Sequence, residues 1–394
     1  MIPASYNYDT LPVSGRDDGP ARPCARSQGR GCARPASEGS LDESTSRLEG
    51  MSGLREGLAD LRQLEPLQAL WSRHRMVAGR VGPADNNEVT VGLNIALDRL
   101  VIFGLGLGLN ETLRYLFSQQ PSFDVFLAWI LDCHGGAMDP ARIAEVNDAV
   151  AQARGQAGKP LRALPADFTQ VLDDAALCCW AERGYVVVRN AVSPEACRAA
   201  EGAIWEFLGA HPHKPDSWYG KAGVEGITAL LTRHPAFDAT RRSPRIRAAF
   251  AQLWGTDALQ VTVDRGGFNP PERLGWQFPA SDIHWDTSLA LPMPFQLQGL
   301  LYLSDTPAEG GAFRCVPGFH RRLESWLAGL PPGMDPRAWD FSAEAEFIAG
   351  NAGDFIIWHA ALPHGASPNR GTRPRLVQYI NFIPPTVVDC RPWV

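Results

Sequence analysis

Two side chains separated by a single residue, His284 and Asp286, could bind a metal ion together. The apolar residues around Ile283-His284-Trp285-Asp286 favour a β-strand, in which alternate side chains project from the same face. An imidazole and a carboxylate would then converge on one point. A second histidine from another strand would complete a set of two histidines and one carboxylate, which leaves coordination positions open and suits iron(II). The pair alone is a weak signal, because most such histidines only satisfy a hydrogen bond.

The C-terminal segment 353–375 adds further groups of the right chemistry. It contains His359 and His364 as candidates for the second histidine, and Arg373 and Arg375 at the head of the final strand. An oxoacid such as 2-oxoglutarate can chelate iron at one end, and its distal carboxylate then needs a cation. Arginine supplies a planar, permanently charged fork for that carboxylate, which lysine does not. The segment therefore favours an oxoacid-dependent metal site over a chance pair.

These motifs occur in the order found in a known family. The chain resembles the phytanoyl-CoA dioxygenase family of iron(II)/2-oxoglutarate oxygenases over roughly residues 168 to 394. The shared features are the entry strand 184–189, the His284-x-Asp286 pair, the Glu-Gly-Gly-Ala turn at 309–312, the Pro-Gly-Phe-His run at 317–320, and the His364-Gly segment with its arginine.

The resemblance implies a role for five residues. His284, Asp286 and His364 fall on the iron ligands of the family, and these are the implied catalytic residues. Arg375 falls on the arginine that binds the distal carboxylate of 2-oxoglutarate. Ser367 lies where the family often places a polar contact to that cosubstrate.

Each assignment has a rival in the same segment. His359 could replace His364, but it directly follows an apolar strand and its spacing to the arginine does not fit. Arg373 could replace Arg375, since strand parity allows one of them, or both through a bulge, to point inward. We favour His364 and Arg375. Elsewhere in the chain, His213 and Tyr219 stay open as contacts to substrate.

The activity that the resemblance implies is hydroxylation of a small molecule with release of succinate and CO2. The implied cofactors are Fe(II), 2-oxoglutarate as cosubstrate, and O2. Halogenases of this superfamily replace the carboxylate at the position of Asp286 with a small residue, and this chain retains it. Desaturation and cyclisation could use the same site. Two alternatives are a zinc enzyme, which would leave Arg375 without a purpose, and a catalytically silent jelly-roll binding protein.

The pattern of short segments predicts the scaffold for these residues. Short apolar runs separated by Gly, Pro and Asp indicate an all-β sandwich or barrel, and the resemblance implies a mainly-β double-stranded β-helix (jelly roll, cupin-like) with flanking helices. Serine before proline at Ser193 and Ser243 predicts two helix starts. The predicted strands are 185–189, 259–263, 283–289, 296–303, 312–316, 354–358 and 376–383, and a further helix is predicted at about 168–183.

The N-terminal part of the chain has a different character. Residues 1–50 are rich in Gly, Pro, Ser and Arg, which predicts a disordered segment, and Met51 could be the true start. Residues 51–157 show apolar residues at helical spacing but no cluster of metal-ligand types. This helical region serves packing, a partner or a substrate lid. Glycines at 104, 106 and 108 indicate close packing rather than a nucleotide loop, because the third glycine of that fingerprint is absent.

The composition excludes several classes of protein. Apolar residues make up 45% and charged residues 20%, as in ordinary globular proteins, and the net charge of -6 argues against nucleic-acid binding. The eight cysteines form no metal-finger spacing, and the N-terminus carries no secretory pattern, so we expect a cytoplasmic protein with free thiols. The most apolar run, 100–109, has about half the ~20 residues of a membrane span. The oligomeric state is not predicted.

Overall fold

The computed structural model describes residues 57–76, 88–155, 162–279, 283–385, 389 and 391–394. The predicted disordered segment 1–50 and the possible start at Met51 lie outside these ranges. After a helical stretch at 57–62, the α-helices are α1 (Glu65–Met76), α2 (Glu88–Gly104), α3 (Leu109–Gln119), α4 (Phe123–Cys133), α5 (Pro140–Ala153), α6 (Asp174–Arg183), α7 (Pro194–Leu208), α8 (Pro235–Arg241), α9 (Pro244–Trp254) and α10 (Leu323–Ala328). The strands are β1 (Tyr185–Val188), β2 (Val224–Glu225), β3 (Thr228–Ala229), β4 (Gln260–Val261), β5 (Gly266–Asn269), β6 (Leu297–Tyr302), β7 (Phe313–Cys315), β8 (Glu346–Ile348), β9 (Phe355–His359), β10 (His364–Ala366), β11 (Arg375–Tyr379) and β12 (Phe382–Ile383).

Helices α1 to α5 form the helical region around an apolar core of their own. Leucines at helical spacing supply part of it, since Leu61, Leu64 and Leu70 are completely buried. Gly104 ends α2 where a Cβ would lie 2.5 Å from Cγ2 of Val146, so a side chain at this position would hold the helices apart. Within the described ranges no single helix is long and apolar enough to cross a membrane, although the bent pair Asn94–Gly104 and Leu109–Gln119 meets the criteria jointly across a 107° bend.

The remainder of the described chain is built on two facing antiparallel sheets, and β4 and β12 pair as a separate two-stranded sheet. One has seven strands in the order β1-β9-β6-β11-β5-β3-β2, and the other has three in the order β10-β7-β8. An apolar core that includes Tyr302 and Trp358 from the first sheet and Phe313 from the second lies between them. This arrangement is the double-stranded β-helix, and α6 to α9 flank it. The predicted fold class is confirmed.

Alternation along the strands sorts side chains between this inner core and an outer core against the helices. On β6, Leu300 and Tyr302 belong to the inner core, whereas Leu301 belongs to the outer one. On β11, Val377 faces inward and Leu376 outward. Strand parity therefore directs Arg375, two positions before Val377, into the interior of the jelly roll.

The local signals for helix starts are confirmed. Oγ of Ser193 accepts a hydrogen bond from the backbone N–H of Ala196, and Oγ of Ser243 accepts one from Ile246. The helix predicted from 168 begins later, at Asp174, because the side chain of Asp173 accepts from the N–H of Ala176 and caps it there.

Two strand predictions are wrong in part. The predicted strand 283–289 is reduced to one bridge, between His284 and His364. Carbonyls in this segment bind the side chain of Arg337 instead of a neighbouring strand. The predicted strand 376–383 is interrupted between β11 and β12, where Asn381 uses its side chain to accept from the N–H of Gly299.

Strand β5 was not predicted, because the pair Gly266-Gly267 is typical of a turn. Both glycines lie in tight packing. A Cβ on Gly267 would lie 2.6 Å from Cγ2 of Val377 on the adjacent β11. The glycines therefore allow β5 to pair closely with β11.

The helical region packs directly against the jelly roll. The guanidinium of Arg233 donates to both carboxylate oxygens of Glu111, at 2.9 and 3.1 Å, and to the carbonyl of Gly106 at 3.3 Å. A Cβ on Gly108 would lie 2.8 Å from the carbonyl oxygen of Val263, so the two backbones nearly touch. The proposed domain limits, 51–157 and 168–394, stay predictions.

Replacing Arg233 with Gln is expected to lower the free energy of unfolding by about 1–2 kcal/mol, because Glu111 loses its charged partner in a half-buried position. Urea unfolding followed by fluorescence measures the loss. The control is Arg198→Gln, which removes the exposed pair with Glu195 and should change stability little. Equal losses in the two variants would show that Arg233 does not hold the two parts together.

Candidate metal centre

A pair of backbone hydrogen bonds places the two histidines opposite each other. The N–H of His284 donates to the carbonyl of His364 at 2.8 Å, and the N–H of His364 donates back at 2.9 Å. The centroids of their rings lie 5.1 Å apart. His364 opens β10, where it pairs with Cys315 of β7. The short strand β10 therefore positions both imidazoles.

Asp286 completes the cluster. Its Oδ1 lies 3.4 Å from Nε2 of His284, and its Oδ2 lies 3.2 Å from Nε2 of His364. Ligand atoms of the three residues all lie within 4.8 Å of one another, so they could hold one metal ion. Burial raises the pKa of Asp286, but hydrogen bonds from both histidines outweigh it and hold the pKa well below its usual range. The carboxylate is therefore an anion suited to a cation.

The orientation of His364 leaves one ring nitrogen for a metal. Its Nδ1 lies 3.0 Å from the carbonyl oxygen of Leu362, which can only accept, so Nδ1 carries the proton. Nε2, which faces Oδ2 of Asp286 at 3.2 Å, is then the ring nitrogen that a metal would take as its ligand. Such a hydrogen bond on the distant nitrogen fixes the tautomer of metal-binding histidines.

A glutamine that the sequence did not single out supports Asp286. Gln298 on β6 donates from Nε2 to Oδ2 of Asp286 at 2.9 Å. Its Oε1 accepts from the indole N–H of Trp358 at 3.0 Å, which determines which end of the amide faces the carboxylate. An alternating strand with a polar residue on its inner face was the available sequence signal.

Arg337 grips the backbone on both sides of Asp286. Its Nη1 donates to the carbonyl of Trp285 at 3.0 Å and its Nη2 to that of Thr287 at 2.8 Å. Nη2 also lies 2.7 Å from the carbonyl of Val394. One planar side chain thus holds the irregular segment that carries Asp286. No local pattern in the sequence pairs residues about fifty positions apart.

Arg375 is buried in the interior of the jelly roll. It is 2% exposed, and within the described structure its Nε and Nη1 have no hydrogen-bond partner. Asn269 stands opposite it on β5, and the side-chain oxygen of Asn269 also lacks a partner there. A buried charge without a counter-ion is costly. The position therefore calls for an anion.

Ser367 lies beside this group, but its hydroxyl is engaged. Its Oγ donates to the carbonyl of Ala312 at 3.1 Å, and its own carbonyl accepts from Asn269 at 3.0 Å. A Cβ on Gly311, in the Glu-Gly-Gly turn, would lie 2.6 Å from Nδ2 of Asn269. This turn requires glycine because the φ of Gly311 is +83°.

The structure separates the rivals from the cluster. His359 is on the outer face of β9, where it contacts Trp180 and Phe295. Arg373 is exposed in the turn before β11. His213 is also exposed, and the hydroxyl of Tyr219 donates to the carbonyl of Pro271.

Replacing Arg337 with Lys should weaken metal binding, because a lysine cannot hold the carbonyls of Trp285 and Thr287 at once. We expect roughly tenfold weaker binding of cobalt(II), in the range typical for groups that orient metal ligands. A visible-absorbance titration measures it. Arg321→Lys on the surface is the matched control, and wild-type affinity in both variants would remove Arg337 from the site.

Burial lowers the pKa of His359 from 6.5 to about 4, with the charge of His320 adding to the effect. Between these values the unfolded chain binds more protons than the native one, so the free energy of unfolding falls as the pH drops from about 6.5 to about 4. His359→Asn keeps an acceptor for the N–H of Ala361 but cannot titrate. Over this pH range we expect the free energy of unfolding of wild type to drop by about 2 kcal/mol more than that of the variant. Urea unfolding at several pH values checks this, and the same slope in both proteins would contradict it. His213→Asn is the control.

Comparison with known proteins gives consistent matches to one family. The family model for Phytanoyl-CoA dioxygenase (PhyH) matches residues 180–377, half of the chain. A Dictyostelium discoideum protein named "Putative phytanoyl-CoA dioxygenase" is 22% identical over 258 residues, which cover 52% of this chain and 74% of the relative.

Two solved structures are similar at low identity. EvdO2 from Micromonospora carbonacea var. aurantiaca is 18% identical and has a TM-score of 0.37, with 54% of this chain and 93% of EvdO2 covered. SnoK, described as a non-heme alpha ketoglutarate dependent carbocyclase from nogalamycin biosynthesis, is 21% identical with a TM-score of 0.39, covering 54% and 85%. The family match runs from the end of α6 into β11 and includes every residue of the metal cluster. This chain belongs to the phytanoyl-CoA dioxygenase (PhyH) family.

Proposed function

We propose that the protein is an iron(II) and 2-oxoglutarate-dependent dioxygenase that hydroxylates a small molecule, with His284, Asp286 and His364 as iron ligands and Arg375 as the anchor of the cosubstrate. The observation that carries the proposal is the combination of two histidines and one carboxylate with a buried guanidinium whose Nε and Nη1 have no hydrogen-bond partner in the described part of the chain. Neither group alone would suffice.

The donor set fits the proposed metal. Two neutral imidazoles and one carboxylate are the set that iron(II) oxygenases use, and they leave positions for an oxoacid and for dioxygen. When bound, iron with 2-oxoglutarate and O2 would supply the oxidising power and release succinate and CO2. Asp286 keeps the carboxylate whose absence would admit a halide.

The residues of the chain have separate tasks in this proposal. Gln298 and Arg337 hold Asp286 in place. Arg375, with Asn269 at its side, would bind the distal carboxylate of 2-oxoglutarate bidentately and so orient its oxoacid end. Ser367 would join that contact if its hydroxyl turned from the carbonyl of Ala312. The apolar core around Tyr302 would keep the pocket dry.

The alternatives explain less of the site. A zinc enzyme with the same ligands has no need for an inward-facing arginine, and a silent binding protein has no need for open metal positions. The expected reducing, cytoplasmic location stays a prediction.

The first test is the visible spectrum of the protein with iron(II) and 2-oxoglutarate without oxygen. Wild type should show a weak metal-to-ligand charge-transfer band, and His284→Ala should lose it. Arg375→Ala should need at least about 30-fold more 2-oxoglutarate for half of the band, because a buried charge pair loses one partner.

The exposed neighbour offers a matched control, since Arg373→Ala should behave like wild type. A wild-type protein that binds iron at full occupancy and shows no band would rule out the oxygenase and favour the zinc enzyme or the binding protein. Equal effects of the two arginine variants would reject Arg375 as the anchor.

A further inference from the structure

A cavity of about 240 Å³ connects the helical region to the metal centre. Leu100 and Phe103 of α2 and Asn110 of α3 line one side. Asp286 and Gln298 line the other. The helical region thus contributes a wall to a space that ends at a proposed iron ligand.

This cavity is not the space for the cosubstrate. The residues around it include Asp286 but, among those that the structure describes, neither Arg375 nor Ser367. Of the three proposed iron ligands, Asp286 lines the cavity and the two histidines do not. A molecule bound there would therefore lie beside Asp286 and apart from Arg375.

Asp264, between β4 and β5, offers the cavity a carboxylate oxygen. Its Oδ2 accepts from the hydroxyl of Thr262 and from Nδ2 of Asn381, at 3.2 Å in the second case. Both of these bonds are made to Oδ2, and they hold the side chain in the wall of the cavity, where its carboxylate could accept from a bound donor.

The charges of the lining add to this preference. Besides Asp264 and Asp286, Asp389 lines the cavity, but Arg391 pairs with Asp389 at 2.8 Å. Among the described residues, the basic side chain that lines the cavity is Arg99, and no lysine lines it. A ligand that carries several phosphates would meet carboxylates here, whereas an amine or a hydroxyl would find acceptors.

The volume points the same way. The cavity's volume of about 240 Å³ lies just below the roughly 300–1,000 Å³ of pockets that hold drug-sized ligands. A compact molecule therefore fits it.

On the basis of the proposed function, we propose that α2 and α3 complete the substrate pocket, and that the substrate is a compact hydrogen-bond donor, an amine or a polyol, bound by Asp264 and not an acyl-CoA. Asn110 supplies a further polar contact from the helical region.

The probes are 1,4-diaminobutane, myo-inositol and butyryl-CoA. They are titrated into anaerobic protein loaded with iron(II) and 2-oxoglutarate while the charge-transfer band is followed, and into metal-free protein by calorimetry. We expect the diamine or the polyol to shift the band with saturation. Asp264→Asn and Asn110→Leu should each raise the half-saturating concentration at least about tenfold.

Two variants outside the cavity serve as controls. Asp257→Asn repeats the loss of a carboxylate, and Gln119→Leu repeats the loss of an amide on α3; both should match wild type. A larger effect of Asp264→Asn on the diamine than on the polyol would identify an amine as the substrate type.

Three results would overturn the proposal: binding of butyryl-CoA that Asp264→Asn leaves unchanged, no response to either small donor in either measurement, or equal effects of cavity and control variants. If the band never forms, the oxygenase proposal fails, and the calorimetric titrations still decide the nature of the cavity.

Discussion

Two backbone hydrogen bonds between His284 and His364 hold the centre of this molecule together. They join segments that lie far apart in sequence and form the only bridge in the segment that carries Asp286, as far as the structure describes that segment. Because a backbone pair sets two residues directly opposite each other, both imidazoles come to one side. The geometry of the three-residue metal site then depends on where Asp286 is held.

That carboxylate is held by side chains, not by a strand. Gln298 fixes one carboxylate oxygen, and Arg337 fixes the carbonyls on either side. An irregular segment gripped in this way can aim a ligand at an angle that a regular strand does not allow. The same segment is where the predicted strand is wrong, which follows from its backbone bonding to a side chain.

The interior of the jelly roll contains buried polar groups that destabilise it and that the fold alone does not explain. Arg375 and Asn269 are fully enclosed, and each has side-chain polar atoms without a hydrogen-bond partner among the residues that the structure describes. Buried donors and acceptors of this kind are rare, and they need an explanation outside the protein chain. An anion bound between the sheets would satisfy them, and the pocket would then be completed by ligand. The helical region plays a comparable part for the cavity that Asp286 also lines, where its packing through Glu111 and Arg233 holds α2 and α3 in place.

The sequence by itself determined the local devices and the candidate residues. Serine capping started α7 and α9 where expected, because a cap needs only neighbours in the chain. The ligand types and the arginine could be named from motif order. The tertiary structure decided which groups support them, because Gln298, Arg337 and Asn269 lie on separate elements and only the packing of those elements brings them to the site. It also decided the placement of β5 and the role of the helices as a cavity wall. Contacts between distant residues depend on how sheets and helices pack, and periodicity along one segment carries no information about its partner.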